Sequence, residues 1–203
     1  MKNYLAIDTS GGYLSVVAVK NGKAFSSYLP DCAMKQSVLL MDEIDRVLKQ
    51  ANMTVNECDF FAAVVGAGSF TGIRIGISVA KGFALACKKP TLPVTSFDLL
   101  AYNAVEEKAL CLVDAMHGYY YACAYENGIA GEPQYLSEAQ VLALANEKGY
   151  TLYSCAPLGI QTKLVQPMDG LQKATEMLSA KGAFGELNAV YVRKSSAEEN
   201  LKK

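Results

Sequence analysis

The sequence predicts an α/β protein of two lobes, each a mixed sheet flanked by helices. Three observations predict it. Short apolar runs joined by tight turns come in groups, and each group is followed by segments of helical spacing. One run, "FFAAVVGAG", is apolar throughout, as a strand covered on both faces must be. The hydrophobic pattern then resets between residues 101 and 109 with no low-complexity linker. That reset divides the chain into a lobe over 1–104 and a smaller lobe over 105–203, in close contact.

Residues 4 to 28 read as three strands. "YLAID" is apolar and ends at Asp8, "YLSVVAV" follows the turn "TSGG", and "KAFSSYL" follows the hairpin signal Asn21-Gly22. Pro30 and Asp31 break the pattern. A helix follows over 33–51, with Ser37, Leu40, Met41, Ile44, Val47, Leu48 and Ala51 on one face. After "FFAAVVGAG" comes a long helix over 69–87, started by Ser69 as N-cap. "TLPV" is a brief strand and "SFDLLAYNAVEE" a helix. In the second lobe, "ALCLVDA" and "YYYACAY" are strands around the turn "MHG". Ser137 and Gln140 form a capping box at a helix that ends at Gly149. "YTLYSCA" is a strand, "DGLQKATEMLSAKG" a helix, and Ser195 to Glu198 a further capping-box spacing in the tail.

Bulk properties narrow the function. The 203 residues are 51% hydrophobic and 19% charged, an ordinary globular composition with length enough for a real core. A formal net charge of −1 lacks the basic surplus with which a chain grips nucleic acid unaided. The six cysteines, at 32, 58, 87, 111, 123 and 155, form no CxxC pair and have apolar neighbours, so they read as small buried hydrophobes in a reducing compartment. The start "MKNYLAIDTS" is not shaped like a signal peptide, and no 18-residue apolar run stands out. The expected location is the cytoplasm, with no membrane contact.

The helix at 69–87 carries Gly72, Gly76 and Gly82, although each interior glycine costs a helix roughly 1 kcal/mol relative to alanine. Phosphate-loop templates do not explain them. A P-loop needs a lysine where Ile73 stands, and Gly66, Gly68 and Gly72 are spaced one residue too widely for a dinucleotide fingerprint. Gly72, Gly76, Ala80 and Ala84 do fall at successive i+4 positions, so one stripe carries almost no side chain and admits a neighbouring backbone. That neighbour is either the chain's own helix at 33–51 or another subunit. Arg74 and Lys81 share a similar face, open to an acidic partner, a nucleotide phosphate or solvent. On "YYYACAY", Tyr119, Tyr121, Cys123 and Tyr125 face one way and Tyr120, Ala122 and Ala124 the other, as on a half-buried strand. The single histidine, His117, reads as a polar turn residue.

"GAGSFTGIRIGISVAKGFAL" closely resembles the signature of the TsaB family of bacterial tRNA threonylcarbamoyladenosine biosynthesis proteins, which reads GPGSFTG-[LIV]-RIG before an alanine- and glycine-rich helix. "LAIDTS", "DAMHGYYYACAY" and "YVRKS" resemble the family in the same order, so the similarity spans nearly the whole chain. It implies an actin-like fold of the sugar-kinase and heat-shock-protein class. In that superfamily a strand ending in Asp, then a Thr/Ser/Gly turn, lies near nucleotide phosphates. Asp8, Thr9 and Ser10 match that place, to hold hydrated Mg²⁺ beside phosphate or only to cap the turn. The paralogous TsaD transferase carries a metal on a His-x-x-x-His helix, and Ser96 and Leu100 stand where its histidines would be. Ala67 replaces the family's proline, "KQS" at 35–37 replaces a His-Ser pair, Met116 and His117 occupy a turn that often contains arginine, and the second lobe is somewhat short.

The resemblance implies a non-catalytic subunit that pairs with a TsaD-type transferase and, in a larger assembly, a TsaE-type ATPase. It would form a homodimer when alone and reach tRNA only through the complex. The expected interface is Leu40, Met41, Ile44, Ser69, Phe70, Gly72, Ile73, Arg74, Gly76, Ile77 and Ala80. No cofactor is expected to bind tightly, with ATP or ADP and Mg at a shared subunit boundary. The competing expectations are a stand-alone ATPase or metallopeptidase, and direct tRNA binding.

Overall fold

In the first sheet the strands at residues 4–8 and 60–64 are buried at every position, covered by a layer on each face. The structure, a computed structural model, describes residues 2–193. Strands β1 (Tyr4–Asp8), β2 (Leu14–Lys20), β3 (Lys23–Leu29), β4 (Phe60–Val64) and β5 (Thr91–Val94) pair in the order β3-β2-β1-β4-β5. The β1–β2 and β2–β3 pairs are antiparallel, while β1–β4 and β4–β5 are parallel. Asn21 and Gly22 both take positive φ, as the β2–β3 hairpin signal requires.

Helices α1 (Gln36–Gln50) and α2 (Phe70–Cys87) cover one face of this sheet. Leu40, Ile44 and Val47 of α1 meet Ile73, Ile77 and Ala80 of α2 over Leu5, Ile7, Phe61 and Ala63. Ser69 caps α2 by accepting from the Gly72 amide. The run that forms α2 reaches a mean hydropathy of 1.3 over 18 residues, long and apolar enough to cross a membrane by length and composition. This corrects the expectation that no 18-residue apolar run stands out. The small-residue face of the run packs on β1 and β4 as a core helix does.

A second sheet has the order β11-β10-β6-β7-β8, with β9 also on β7. Its strands are β6 (Lys108–Asp114), β7 (Tyr119–Glu126), β8 (Ile129–Ala130), β9 (Gln134–Ser137), β10 (Thr151–Ser154) and β11 (Lys163–Leu164). Again a central strand, β6, is antiparallel to its successor and parallel to a later strand. Helix α4 (Glu138–Lys148) starts at the Ser137–Gln140 capping box, ends at Gly149 and covers the outer face. The two faces of β7 divide as the alternation predicts: Tyr121, Cys123 and Tyr125 join the inner cluster, Tyr120, Ala122 and Ala124 the outer one.

Two expectations about the chain's course are corrected. Helix α3 spans only Ser96–Ala101, because Asn103 turns back to donate to the Leu99 carbonyl and residues 102–107 leave the helix. The two sheets draw on residues 4–94 and 108–164, but the last helix does not pack on the second of them. Helix α5 (Pro167–Ala180) lies on the first sheet, with Leu171 and Ala174 against Tyr4, Ala6, Val17 and Phe60. Leu99 of α3 joins the same face. The following segment returns to the lobe boundary: Leu187 enters the first core, the Val190 amide donates to the Val65 carbonyl (2.7 Å), and Arg193 donates to the Tyr135 phenol (3.1 Å). The segment 187–193 thereby straps the first lobe to the second. The tail capping box, Ser195 to Glu198, lies outside the described residues.

Candidate functional site

The end of β1 meets α2 almost backbone to backbone. The Thr9 hydroxyl donates to the Gly72 carbonyl (2.6 Å) and accepts from the Gly76 amide (3.1 Å), bridging one turn of the helix. A Cβ at Gly72 would stand 2.0 Å from the Thr9 carbonyl oxygen, and one at Gly76 would stand 2.7 Å from the Thr9 hydroxyl. At Gly72 any side chain would have to displace backbone, and at Gly76 it would have to displace the Thr9 side chain. At Gly68, with φ of 146°, a Cβ would lie 2.3 Å from the Ser10 carbonyl oxygen, which the Ser69 amide bonds at 2.7 Å. Gly68, Gly72 and Gly76 of the signature therefore serve the close approach of the turn after β1, while Gly66 faces the Val190 carbonyl.

This sealing corrects much of the expected interface. Gly72, Ile73, Gly76, Ile77 and Ala80 of α2, with Leu40 and Ile44 of α1, are buried within the chain. Their small or inward-turned side chains meet β1, β4 and each other. Met41, Ser69, Phe70 and Arg74 remain exposed.

Asp8, Thr9 and Ser10 make the bonds of a turn cap, one of the two readings of these residues. Asp8, Thr9 and Ser10 are all buried. Asp8 accepts from the Ser10 amide (2.8 Å) and hydroxyl (2.7 Å) on one oxygen and from the Tyr13 phenol (2.7 Å) on the other. Burial pushes its carboxyl above the usual aspartate range, and the Ser10 and Tyr13 bonds only partly offset this. Burial, with Asp8 beside it, raises the Tyr13 phenol too. With both Asp8 oxygens engaged and Thr9 committed to α2, Ser10 alone of the three lines open space.

Gln36 completes the junction, and sequence reasoning passed over it. Buried at the first turn of α1, its amide nitrogen donates to the carbonyls of Thr9 (3.2 Å), Gly11 (2.9 Å) and Tyr13 (2.6 Å). A polar residue on an otherwise apolar helix face was the one available signal. It sits in "KQS", one of the departures from the family pattern.

A cleft of about 600 Å³ separates the lobes, lined by Ser10, Gly11, Tyr13, Ser96, Leu100, Leu112, Tyr121 and Cys155 among others. Ser96 and Leu100, one helical turn apart on α3, both face it. The Ser96 hydroxyl is bonded to the Ala67 carbonyl and lies 3.3 Å from that of Ser10. No cluster of three His, Cys, Asp or Glu side chains with metal-ligand geometry occurs among the described residues. His117 occupies the turn between β6 and β7, exposed and with positive φ.

The outer surface of α1 and α2 carries a different feature, a groove of about 490 Å³. Leu40, Met41, Phe70, Ile75 and Val79 supply its apolar walls, Ser37, Thr71 and Ser78 its hydroxyls, and Arg74 its charge. Met34 and Val38 are exposed where the chain enters and begins α1. Tyr191, from the closing strap, stacks on Phe70 with ring centroids 5.1 Å apart.

Two sheets with a shared strand pattern, helices on their faces and a cleft between them define an actin-like α/β protein. The chain matches the family model TsaD, tRNA N6-adenosine threonylcarbamoyltransferase, over residues 24–193, and it belongs to that family. Curated relatives include the tRNA threonylcarbamoyladenosine biosynthesis protein TsaB of Bacillus subtilis (strain 168), 28% identical over 89% of this chain and 79% of that protein. The TsaB protein of Escherichia coli (strain K12) is 30% identical over 62% of this chain and 57% of its own length. That of Buchnera aphidicola subsp. Schizaphis graminum is 34% identical over 49% and 47%. The chain thus spans about half the length of several curated relatives it matches. YeaZ from Pseudomonas aeruginosa has the same fold, with a TM-score of 0.79 and 24% identity over 94% of this chain and 100% of that one. The TsaB resemblance read from the glycine-rich signature agrees with these relatives.

Proposed function

We propose that this chain is a non-catalytic subunit in the formation of N6-threonylcarbamoyladenosine on tRNA, and that it docks a TsaD-type transferase through the groove between α1 and α2. The observation that carries the reading is that groove. It is open to solvent over two adjacent helices, with apolar walls, and its single cation has no carboxylate partner among the described residues. A paired helix face of this kind suits another helix pair, in a self-complementary dimer or with a paralogue. Membership of the TsaD family and the TsaB relatives support the pathway. The engaged state of Asp8 and Thr9 supports a role other than phosphate chemistry for this subunit.

In the same reading the chain self-associates by this face when alone, a TsaE-type ATPase joins the larger assembly, and tRNA is reached only through the complex. ATP or ADP with Mg belongs at a boundary shared with the partner, and the complex works in the cytoplasm. The test is gel filtration of the full chain with a purified TsaD-type transferase. Ser78→Trp fills the groove from an exposed position, so it is expected to abolish co-elution while the circular-dichroism melt stays unchanged. Co-elution of a folded Ser78→Trp chain would overturn the docking assignment.

A further inference from the structure

Arg74 is held in place more firmly than a solvated surface arginine requires. Its guanidinium carbon lies 3.8 Å from the centre of the Phe70 ring, one helical turn earlier. Its Nε donates to the Tyr191 phenol at 3.0 Å, and the Tyr191 ring stacks on Phe70 at an interplanar angle of 27°. Both Nη groups remain without a hydrogen-bond partner among the described residues, and no carboxylate there lies within ion-pair distance. Arg74 is also the only charged residue that lines the groove among the described residues.

We infer that Arg74, positioned by Tyr191, is the recognition cation of this groove and receives one carboxylate from an otherwise apolar segment of the docking partner. This rests on the docking reading above and deepens it. The planar fork of two free Nη groups matches a carboxylate in a bidentate pair. Holding the side chain beforehand reduces the ordering cost of binding. The same cation gives specificity, because a partner without the carboxylate would bury an unpaired charge and be rejected. Phosphate is the poorer match: a nucleotide's polyphosphate carries several negative charges, and the groove offers one cation between apolar walls.

The test measures the affinity of the full chain for a TsaD-type transferase at several NaCl concentrations in nucleotide-free buffer. Arg74→Glu is expected to weaken binding by at least about thirtyfold. Arg74→Met keeps apolar volume, and it is expected to weaken binding about tenfold and lose most of the salt dependence. Tyr191→Phe keeps the ring stack but removes the acceptor for Nε; a loss of about threefold with the salt dependence retained is expected of a positioning residue. If Arg74→Met retains the wild-type salt dependence, the side chain acts by packing alone and the inference is overturned. If Arg74→Glu binds like wild type while Ser78→Trp does not bind, the carboxylate is refuted and the docking site stands. If neither change weakens binding, the docking reading fails as well. Loss of self-association alone in Arg74→Glu would assign the carboxylate to a second copy of this chain and overturn the inference. A gain of affinity with Mg-ADP that Arg74→Met removes would assign the site to phosphate, with the same consequence.

Discussion

The Thr9 hydroxyl lies 3.1 Å from the Gly76 amide and 2.6 Å from the Gly72 carbonyl, so one side chain just past β1 bridges a turn of α2. That contact fixes what the glycine stripe is for. Gly72→Ala is expected to destabilise the monomer by about 3 kcal/mol or more, because the clash is with backbone that cannot turn aside. Gly82 has nothing within 4 Å of the position of a Cβ, so Gly82→Ala is expected to stabilise by about 1 kcal/mol. Urea unfolding of the two variants checks both signs, and equal effects would refute the close-approach explanation.

Thr9→Val keeps the shape of the side chain and removes its hydrogen bonds. Two buried hydrogen bonds to the backbone of α2 are then lost, and a loss of about 1–3 kcal/mol is expected. Thr9→Ser retains the hydroxyl, and a cost below about 1.5 kcal/mol is expected from the missing methyl group. Thermal melts of the pair decide between hydrogen bonding and simple packing. Val and Ser variants of equal stability would exclude the former.

Asp8 gives a pH dependence of defined sign. Burial raises its folded pKa above the ordinary value of 3.8, so the folded state binds this proton more tightly than the unfolded state. Its contribution is fully present below 3.8 and is lost as pH rises through the raised folded pKa. Asp8→Asn keeps an acceptor for Ser10 and has no proton to lose. Its melting temperature is therefore expected to gain on wild type as pH rises from about 4, and to level off above the window. Glu57, held down to about 2 by the Thr54 backbone bond and by Lys20, has the opposite slope but is common to both proteins and cancels. A difference between the two melts that does not vary with pH would contradict the assignment.

Cys155 sits at the cleft beside Tyr13, and burial pushes its thiol up to about 12. Thiolate is the reactive form, so iodoacetamide at pH 8 is expected to label Cys155 on the order of a thousandfold more slowly than a free cysteine. Labelling should become complete in denaturant. Mass spectrometry of the alkylated peptides reads this directly, and rapid labelling of Cys155 in native protein would refute the raised thiol.

Much of the fold was legible in the sequence for local reasons. The Asn21-Gly22 hairpin, the Ser69 cap and the Ser137–Gln140 box are short-range signals, and the structure places each as expected. The return of α5 to the first sheet was not legible, because its amphipathic face names no partner. The stripe Gly72–Gly76–Ala80–Ala84 showed that a backbone comes close, yet spacing alone does not say whose. The backbone that comes close at Gly72 is that of Thr9, distant in sequence. Gln36 and Tyr191 escaped notice because their roles rest on bonds between distant segments. Met41, Phe70 and Arg74 kept exposed positions, and the interface reading now rests on them.

The central claim is that the partner covers the outer groove of α1 and α2 while the glycine stripe stays inside the chain. Amide hydrogen exchange of the full chain, with and without a TsaD-type transferase, tests it most directly. Added protection confined to residues 37–42 and 70–79 is the expected result. Protection elsewhere, with those two segments unchanged, would contradict it.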